Sequence, residues 1–249
     1  AIISMSLYSL QLDTETIVRA GATNIIDRDY DNLWRASGFD LDSDYKVNYG
    51  YDTFGRMNSV SSMAQSAEYS YLPGSDLISG YTMGDLSVTR SFEPHRNLLT
   101  SIENKFDANT VSKYSYANDA GGRRVSVIQT GAAFQPVGDM FNLYQYNTRS
   151  ELTSAERYFG SNTNDTTNPV GLQDWSYAYD HIGNRTWTTK ANAAASYTAN
   201  ALNQYTERSV PGSSDIIGSA KTNVTVTVNE EEADRQGYYW SHRLTVDNL

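Results

Sequence analysis

Residues 49–57 read "YGYDTFGRM", and residues 177–185 read "YAYDHIGNR". The two nonapeptides share tyrosines at the first and third positions, then Asp, and Gly three residues later. Between the tyrosines the pattern has period two. Tyr45, Val47, Tyr49 and Tyr51 alternate with Asp44, Lys46, Asn48 and Gly50, which places the large side chains on one face of a strand. Asp52 to Gly55 then reads as a turn, because Asp accepts backbone N–H groups two residues on and Gly tolerates positive φ. A second strand follows from Arg56 through Met57, Ser59 and Ser61. Each such stretch is a β-hairpin of about twenty residues.

Aligning on this pattern brings out weaker copies. "RDYDNLWRA" from Arg28 keeps Tyr30, Asp31 and Arg35, with Trp34 in the glycine position. Others start at Tyr69, Arg90, Tyr114 ("YSYANDAGGRR", with two extra residues before Gly122-Arg123), Tyr144 and Tyr197. The starts 28, 49, 69, 90, 114, 144, 177 and 197 step by 21, 20, 21, 24, 30, 33 and 20. A base period near twenty with lengthened steps signals a repeat architecture. The long steps hold turn-rich insertions, residues 131–139 and "GSNTNDTTNPVG" at 160–171, the latter read as an exposed loop. Residues 190–202 carry helix-forming alanines but fall on a repeat copy, which favours a hairpin there. The strongest alternation of all, Val224, Val226 and Val228 within 222–228, predicts a strand.

Composition agrees with an all-β chain. Among 249 residues there are 19 Tyr and 17 Gly, and only 19% are charged; Tyr, Thr and Val fit a pleated surface. The net charge of -10 argues against a nucleic-acid groove, which needs cations to neutralise phosphates. There is no cysteine, so disulfides and thiolate metal sites are excluded. No apolar run is long enough for membrane insertion as a helix. The first residue is Ala rather than Met, as in a processed or excised segment.

The Tyr-x-Tyr-Asp-x-x-Gly-Arg units resemble the YD repeats of Rhs proteins, of the BC components of Tc toxins and of teneurins. The resemblance covers residues 28–205, and "DRQGYYWSHRLTVDN" at 234–248 has a similar character. It implies a fold of about eight antiparallel β-hairpin repeats in a curved or spiralling sheet, a partial β-shell. Residues 1–27 would be leading strands, 28–215 the hairpin array, and 216–249 further hairpins continuing it. The implied function is a structural shell segment of an Rhs-like exported bacterial protein, secreted or at the cell surface, enclosing or presenting a cargo or effector. Shells of this type commonly cleave themselves near an Asp-Pro motif. No Asp-Pro dipeptide occurs here, so neither self-cleavage nor toxicity carries over. The chain is short for a closed cocoon and reads as part of a larger shell or as a small repeat protein.

On this reading the structural repeat residues are Tyr30, Asp31, Arg35, Tyr49, Tyr51, Asp52, Gly55, Arg56, Tyr177, Tyr179, Asp180 and Gly183. The aspartates sit at corners, where turn capping accounts for them. The arginines Arg35, Arg56 and Arg123 are expected over a neighbouring Tyr ring or paired with a carboxylate one hairpin away. No catalytic, cofactor-binding or metal-binding residue is expected. His95, His181 and His242 show no ligand spacing, and "DAGGRR" at 119–124 reads as a hairpin turn, not a phosphate loop. The expected partners are other segments of a larger repeat shell, or self-association through exposed sheet edges, and an enclosed effector domain. Two other functions stay open. One is a carbohydrate-binding or adhesive module, with glycans as partners and Trp34, Trp175, Trp187 and Trp240 as stacking faces. The other is a glycan-active enzyme on a β scaffold.

Overall fold

The computed structural model describes residues 2–8 and 11–246; Asp247 and Asn248 of the C-terminal motif lie outside them. The chain forms two compact units, Ala1–Ser91 with Asn104–Asn109, and Phe92–Glu103 with Thr110–Leu249. The described residues contain strands and a single 3-10 turn, Ala132–Phe134, and no helix long and apolar enough to cross a membrane.

The first unit holds β1 (Ile2–Tyr8), β2 (Gln11–Arg19), β3 (Ala22–Tyr30), β4 (Ala36–Leu41), β5 (Tyr45–Tyr51), β6 (Met57–Ser62), β7 (Ser66–Tyr71), β8 (Ile78–Met83) and nearly all of β9 (Leu86–Phe92). Each strand pairs antiparallel with the next. The residues of β10 (Leu99–Phe106) fall in both units. The second unit repeats the scheme through β11 (Asn109–Asn118), β12 (Arg124–Thr130), β13 (Met140–Tyr146), β14 (Leu152–Phe159), β15 (Pro169–Tyr179), β16 (Arg185–Lys190), β17 (Ala193–Ala199) and β18 (Tyr205–Arg208). The fold is therefore the expected all-β array of antiparallel hairpins. In β7 the period-two pattern is plain: Ala67, Tyr69 and Tyr71 are half-buried while Ser66, Glu68 and Ser70 are exposed.

The hairpins have two kinds of end. One is tight, with positive φ at both loop residues, as at Ala20-Gly21 (50° and 82°) and Ala191-Asn192 (44° and 69°). That geometry matches the strand twist. It also turns the alanine-rich stretch into the hairpin β16–β17 rather than a helix. The other end is the YD corner. Beside each such corner the returning strand carries one extra residue, a β-bulge. On β6 it is Asn58, opposite the step from Gly50 to Tyr51, and the equivalent place lies opposite the steps into Tyr30, Tyr71, Asn118, Tyr146, Tyr179 and Ala199. A bulge raises the local twist and re-aims the next side chain.

Packing is sparse in the first unit. Among its described residues, Val47 and Val88 are the buried hydrophobic side chains. Each lies beside a strand glycine that has no room for a side chain. A Cβ on Gly38 would stand 2.3 Å from the Val47 carbonyl oxygen, and one on Gly80 would stand 2.5 Å from that of Val88. Glycine inside a strand marks such close approach.

The second unit has a real core. Met140 and Phe141 are neighbours on β13, so they face opposite sides of the sheet, and both are buried. On one face Met140 packs with Val170 and Tyr239, flanked by Val137 and Phe159. On the other, Phe141 stacks on Tyr158 with ring centroids 5.2 Å apart. Val170 corrects the sequence reading of 160–171. The exposed loop ends at Asn168, and Val170 and Gly171 belong to β15, held there by the chain's C-terminal part. Gln236 accepts from the Gly171 N–H at 2.8 Å and donates to the Pro169 carbonyl at 2.7 Å, while the Tyr239 hydroxyl donates to the Gly171 carbonyl at 2.7 Å.

Past β18, β19 (Ser213–Ser219), β22 (Asp234–Gln236) and β23 (Tyr239–Thr245) form a three-stranded sheet of their own in the order β19-β23-β22. The alternating valines do not make the strand expected over 222–228. Only β20 (Thr227–Val228) pairs, with β21 (Glu231–Glu232). The reason is Arg235, whose guanidinium donates to the carbonyls of Val224 (2.6 Å), Ala220 (2.9 Å), Lys221 (2.9 Å) and Gly237 (3.3 Å). One side chain satisfies the backbone acceptors that a partner strand would otherwise serve.

Candidate functional site

The repeated corner is the feature that most residues singled out in the sequence build. At residues 52–56 the Asp52 N–H donates to the Arg56 carbonyl (2.8 Å), and the Gly55 N–H donates to the Asp52 carbonyl (3.0 Å). Asp52 Oδ1 accepts from the N–H groups of Phe54 and Arg56, both at 2.9 Å. Its Oδ2 accepts from the Arg56 guanidinium at 2.8 and 2.7 Å. One carboxylate thus saturates the turn's donors and clamps the arginine through a fork. The Asp31–Arg35 and Asp119–Arg123 corners repeat this, with Nε to Oδ2 distances of 2.7 Å in both.

The glycine position requires the left-handed conformation. Gly55, Gly122 and Gly183 have φ of 85°, 82° and 94°. Trp34, Ser150 and Asn203 occupy the same position at 61°, 65° and 60°, at the steric cost a Cβ incurs there. So Trp34 serves the turn with its backbone, and its ring stands 52% exposed.

The "YSYANDAGGRR" copy needs a correction. Asn118 pairs with Arg124 next to the bulge, as Tyr51 pairs with Met57. Asp119 is thus the corner residue and Tyr116 the first tyrosine, so this copy starts at 116 and its extra residues precede the motif.

Two corners invert the chemistry. At Asn147 the amide oxygen accepts from Arg149 and Glu151 N–H (3.0 and 3.1 Å), but its amide nitrogen donates to Glu151 Oε2 at 2.6 Å. At Asn200 the nitrogen donates to Gln204 Oε1 at 3.1 Å. At Asp180 the carboxylate accepts from Asn184 Nδ2 at 2.9 Å. Where the corner residue accepts, the residue four on donates, and where it can donate, that residue accepts.

The inversion has a testable consequence. Asn147→Asp sets two carboxylates together and is expected to lower the melting temperature at neutral pH, with recovery on adding Glu151→Arg. Asn200→Asp is expected to be tolerated, because the Gln204 amide can turn to donate. Thermal unfolding of the three variants checks this; equal losses for Asn147→Asp and Asn200→Asp would contradict it.

Consecutive corners are joined. The Arg35 guanidinium lies over the Tyr51 ring at 4.1 Å, Arg56 over Tyr71 at 4.2 Å, and Arg123 over Tyr146 at 5.0 Å. Those tyrosine hydroxyls return to the preceding hairpin. Tyr51 donates to the Ala36 carbonyl at 2.6 Å, Tyr71 to that of Met57, and Tyr146 to that of Arg124 at 2.8 Å. Tyr30 and Tyr179 do the same to Leu12 (2.7 Å) and Leu152 (2.9 Å). Arg56 also donates to the Ser75 carbonyl, and Arg96 to that of Asp119 at 2.8 Å. The sequence expectation for the arginines is thus corrected in one respect. Each stacks on the next hairpin's tyrosine but pairs most closely with the carboxylate of its own corner, Arg56 lying also 4.0 Å from Asp76 in the next hairpin.

The corner carboxyls are all held below the usual carboxylate range. For Asp31 the chief cause is the Arg35 N–H, and for Asp119 it is the Arg123 side chain. For Asp52 and Asp180 partial burial pushes the other way, but the hydrogen bonds from residues 54 and 56, and from 182 and 184, outweigh it. The folded value lies below the unfolded one, so this stabilisation is complete above about pH 4 and is lost as pH falls through the lower folded values. The melting temperature is expected to be flat from about pH 7 to 5 and to drop below about pH 4. Asp52→Asn should make that acid drop shallower; parallel curves for the variant and the wild type would contradict the assignment.

The other singled-out residues are scattered. His95 and His181 lie in turns, while His242 is buried with Nε2 3.4 Å from Glu231. No group of three metal-ligating carboxylate or imidazole residues occurs among the described residues. Trp187 is exposed and donates to Thr189 Oγ1 at 2.7 Å. Trp240 packs on Gly218, where an added Cβ would meet its ring at 2.6 Å. Trp175 lines a cavity with cationic residues, which sequence reasoning missed because the lining comes from three strands: Trp175 on β15, Arg185 and Lys190 on β16, and Arg208 on β18.

No family model matches the chain, and no curated protein sequence matches it. Solved structures do match. TcdB2-TccC3 without its hypervariable C-terminal region aligns with a TM-score of 0.61 over 81% of this chain, at 16% identity. The fold is shared with TcdB2-TccC3. The TcdB2-TccC3-Cdc42 structure aligns at 0.53 over 84% (14% identity), and the Photorhabdus luminescens Tc holotoxin pore at 0.50 over 90% (13% identity). The chain spans only 12–13% of the length of these proteins. What the likeness to TcdB2-TccC3 shows is the fold, an array of antiparallel hairpins.

Proposed function

We propose that the chain is a stretch of repeat shell from an Rhs-like exported bacterial protein, whose hairpins build a wall that encloses or presents a cargo. On this proposal the YD residues are structural and carry no chemistry. The observation that carries the reading is the linkage of consecutive corners, in which each clamped arginine stacks on the next hairpin's tyrosine. Such a device propagates along an array, because each corner binds the next by the same contacts. The fold shared with TcdB2-TccC3 supports the same reading.

Further shell segments are the proposed partners. Ile3, Met5 and Leu7 alternate along β1 and are 55%, 63% and 66% exposed, a surface suited to further packing. The test is to isolate the gene product bearing this chain from its source organism. The proposal expects it outside the cell, with an associated polypeptide that resists protease until the array is unfolded. A product retained in the cytoplasm without any protected polypeptide would overturn it.

A further inference from the structure

A cavity of about 540 Å³ in the second unit differs in chemistry from every corner. It is walled by β15 to β18 and the start of β19. Trp175, Tyr177 and Tyr197 line it together with Arg185, Lys190 and Arg208. Lys190 Nζ lies 5.9 Å from the Trp175 ring, Arg185 lies 5.0 Å from Tyr177 and 5.9 Å from Tyr197, and Arg208 lies 5.5 Å from Tyr197. The ring faces hold the cations in place without neutralising them.

The cavity's one carboxylate, Asp215, is already engaged by Lys190 at 3.0 Å and by Arg243 at 2.7 Å. Neither Arg185 nor Arg208 has an ion-pair partner among the described residues. The Arg185 side chain hydrogen-bonds the Tyr197 phenol, while its buried Nε has no acceptor, as is also so at Arg28, Arg124 and Arg157. All this occurs in a chain of net charge -10, so the cavity is a local reversal of sign.

We propose that this cavity binds a carboxylated sugar, a uronate residue of an acidic glycan. The two guanidiniums offer planar donor forks to a carboxylate. The aromatic lining suits the apolar face of a sugar ring, and the hydroxyls of Thr188, Ser213 and Ser214 suit its hydroxyl groups. The volume falls within the range of small-molecule sites, about 300–1,000 Å³. The site stands whether or not the wall encloses a cargo.

Calorimetric titration of the full chain with digalacturonate, a neutral digalactoside, a glutamate-rich tetrapeptide and inorganic phosphate tests it. Digalacturonate is expected to bind, with affinity falling as salt rises, and the neutral sugar to bind at least about tenfold more weakly. Arg208→Ser, on exposed β18, is expected to cut uronate affinity at least about tenfold while the circular dichroism and melting temperature stay unchanged. The absence of uronate binding, equal binding of the neutral sugar, or an unaffected Arg208→Ser variant would overturn the proposal. Tighter binding of the tetrapeptide or of phosphate would reassign the cavity to that anion.

Discussion

Phe141→Ala is expected to destabilise the protein by about 3–5 kcal/mol, the range for deleting a fully buried aromatic side chain. Phe141 is 0% exposed, the one large side chain among the described residues that is completely enclosed. Its ring stacks on Tyr158, whose phenol is pushed up to about 12, chiefly by burial and then by its hydrogen bond to Glu156. Truncation would leave a void between two backbones fixed by seven cross-strand pairs, so the site cannot collapse to fill it. Denaturant unfolding measures the loss. Phe106→Ala, at a ring 54% exposed, is the control and should change stability by less than about 0.5 kcal/mol. Similar losses at both positions would mean that the core is not where the packing puts it.

Arg243→Ala is expected to cost about 3 kcal/mol, the lower end for removing one partner of a buried ion pair. Arg243 on β23 donates to Asp215 Oδ1 at 2.7 Å and also to the carbonyls of Ala191 and Lys190. It therefore ties the C-terminal sheet to the tight turn between β16 and β17. The Asp215 side chain is 7% exposed. Burial pushes its carboxyl up, but Arg243 and Lys190 outweigh that and hold it below the usual range. Without Arg243 the buried charge keeps only Lys190. Adding Asp215→Ala should then restore part of the stability, because no charge is left stranded. Further loss in the double variant, equal to the sum of two independent deletions, would contradict the pairing.

These two sites were the least legible in the sequence. Phe141 is one of seven phenylalanines, and only register makes it special: it sets the ring beside its cross-strand partner Tyr158 on one face, while Met140 packs against the C-terminal segment on the other. Arg243 and Asp215 lie 28 residues apart, and no local spacing joins them. The corners, by contrast, were written in local chemistry, since Asp and left-handed Gly define a turn wherever they fall. Even there the letters were a partial guide. Trp34 can replace Gly because the turn uses its backbone, and Asn147 with Glu151 inverts the Asp–Arg pair while keeping its geometry. The bulge after each corner was not read from the sequence, because it shows only in the pairing of two strands. The valines of 222–228 misled because alternation reports faces, whereas a strand also needs a partner, and Arg235 takes that role. The cationic cavity was hidden for a similar reason: Arg185 and Lys190 on β16, Arg208 on β18 and Trp175 on β15 come from three strands that the array brings together.

The central claim is that the YD corner links each hairpin to the next. A double-mutant cycle on Arg56→Ala and Tyr71→Leu, read by denaturant unfolding, tests it most directly. A stacked guanidinium predicts a coupling of about 0.5–1 kcal/mol between the two positions. If the two losses simply add, within about 0.3 kcal/mol, the hairpins are not linked through their corners.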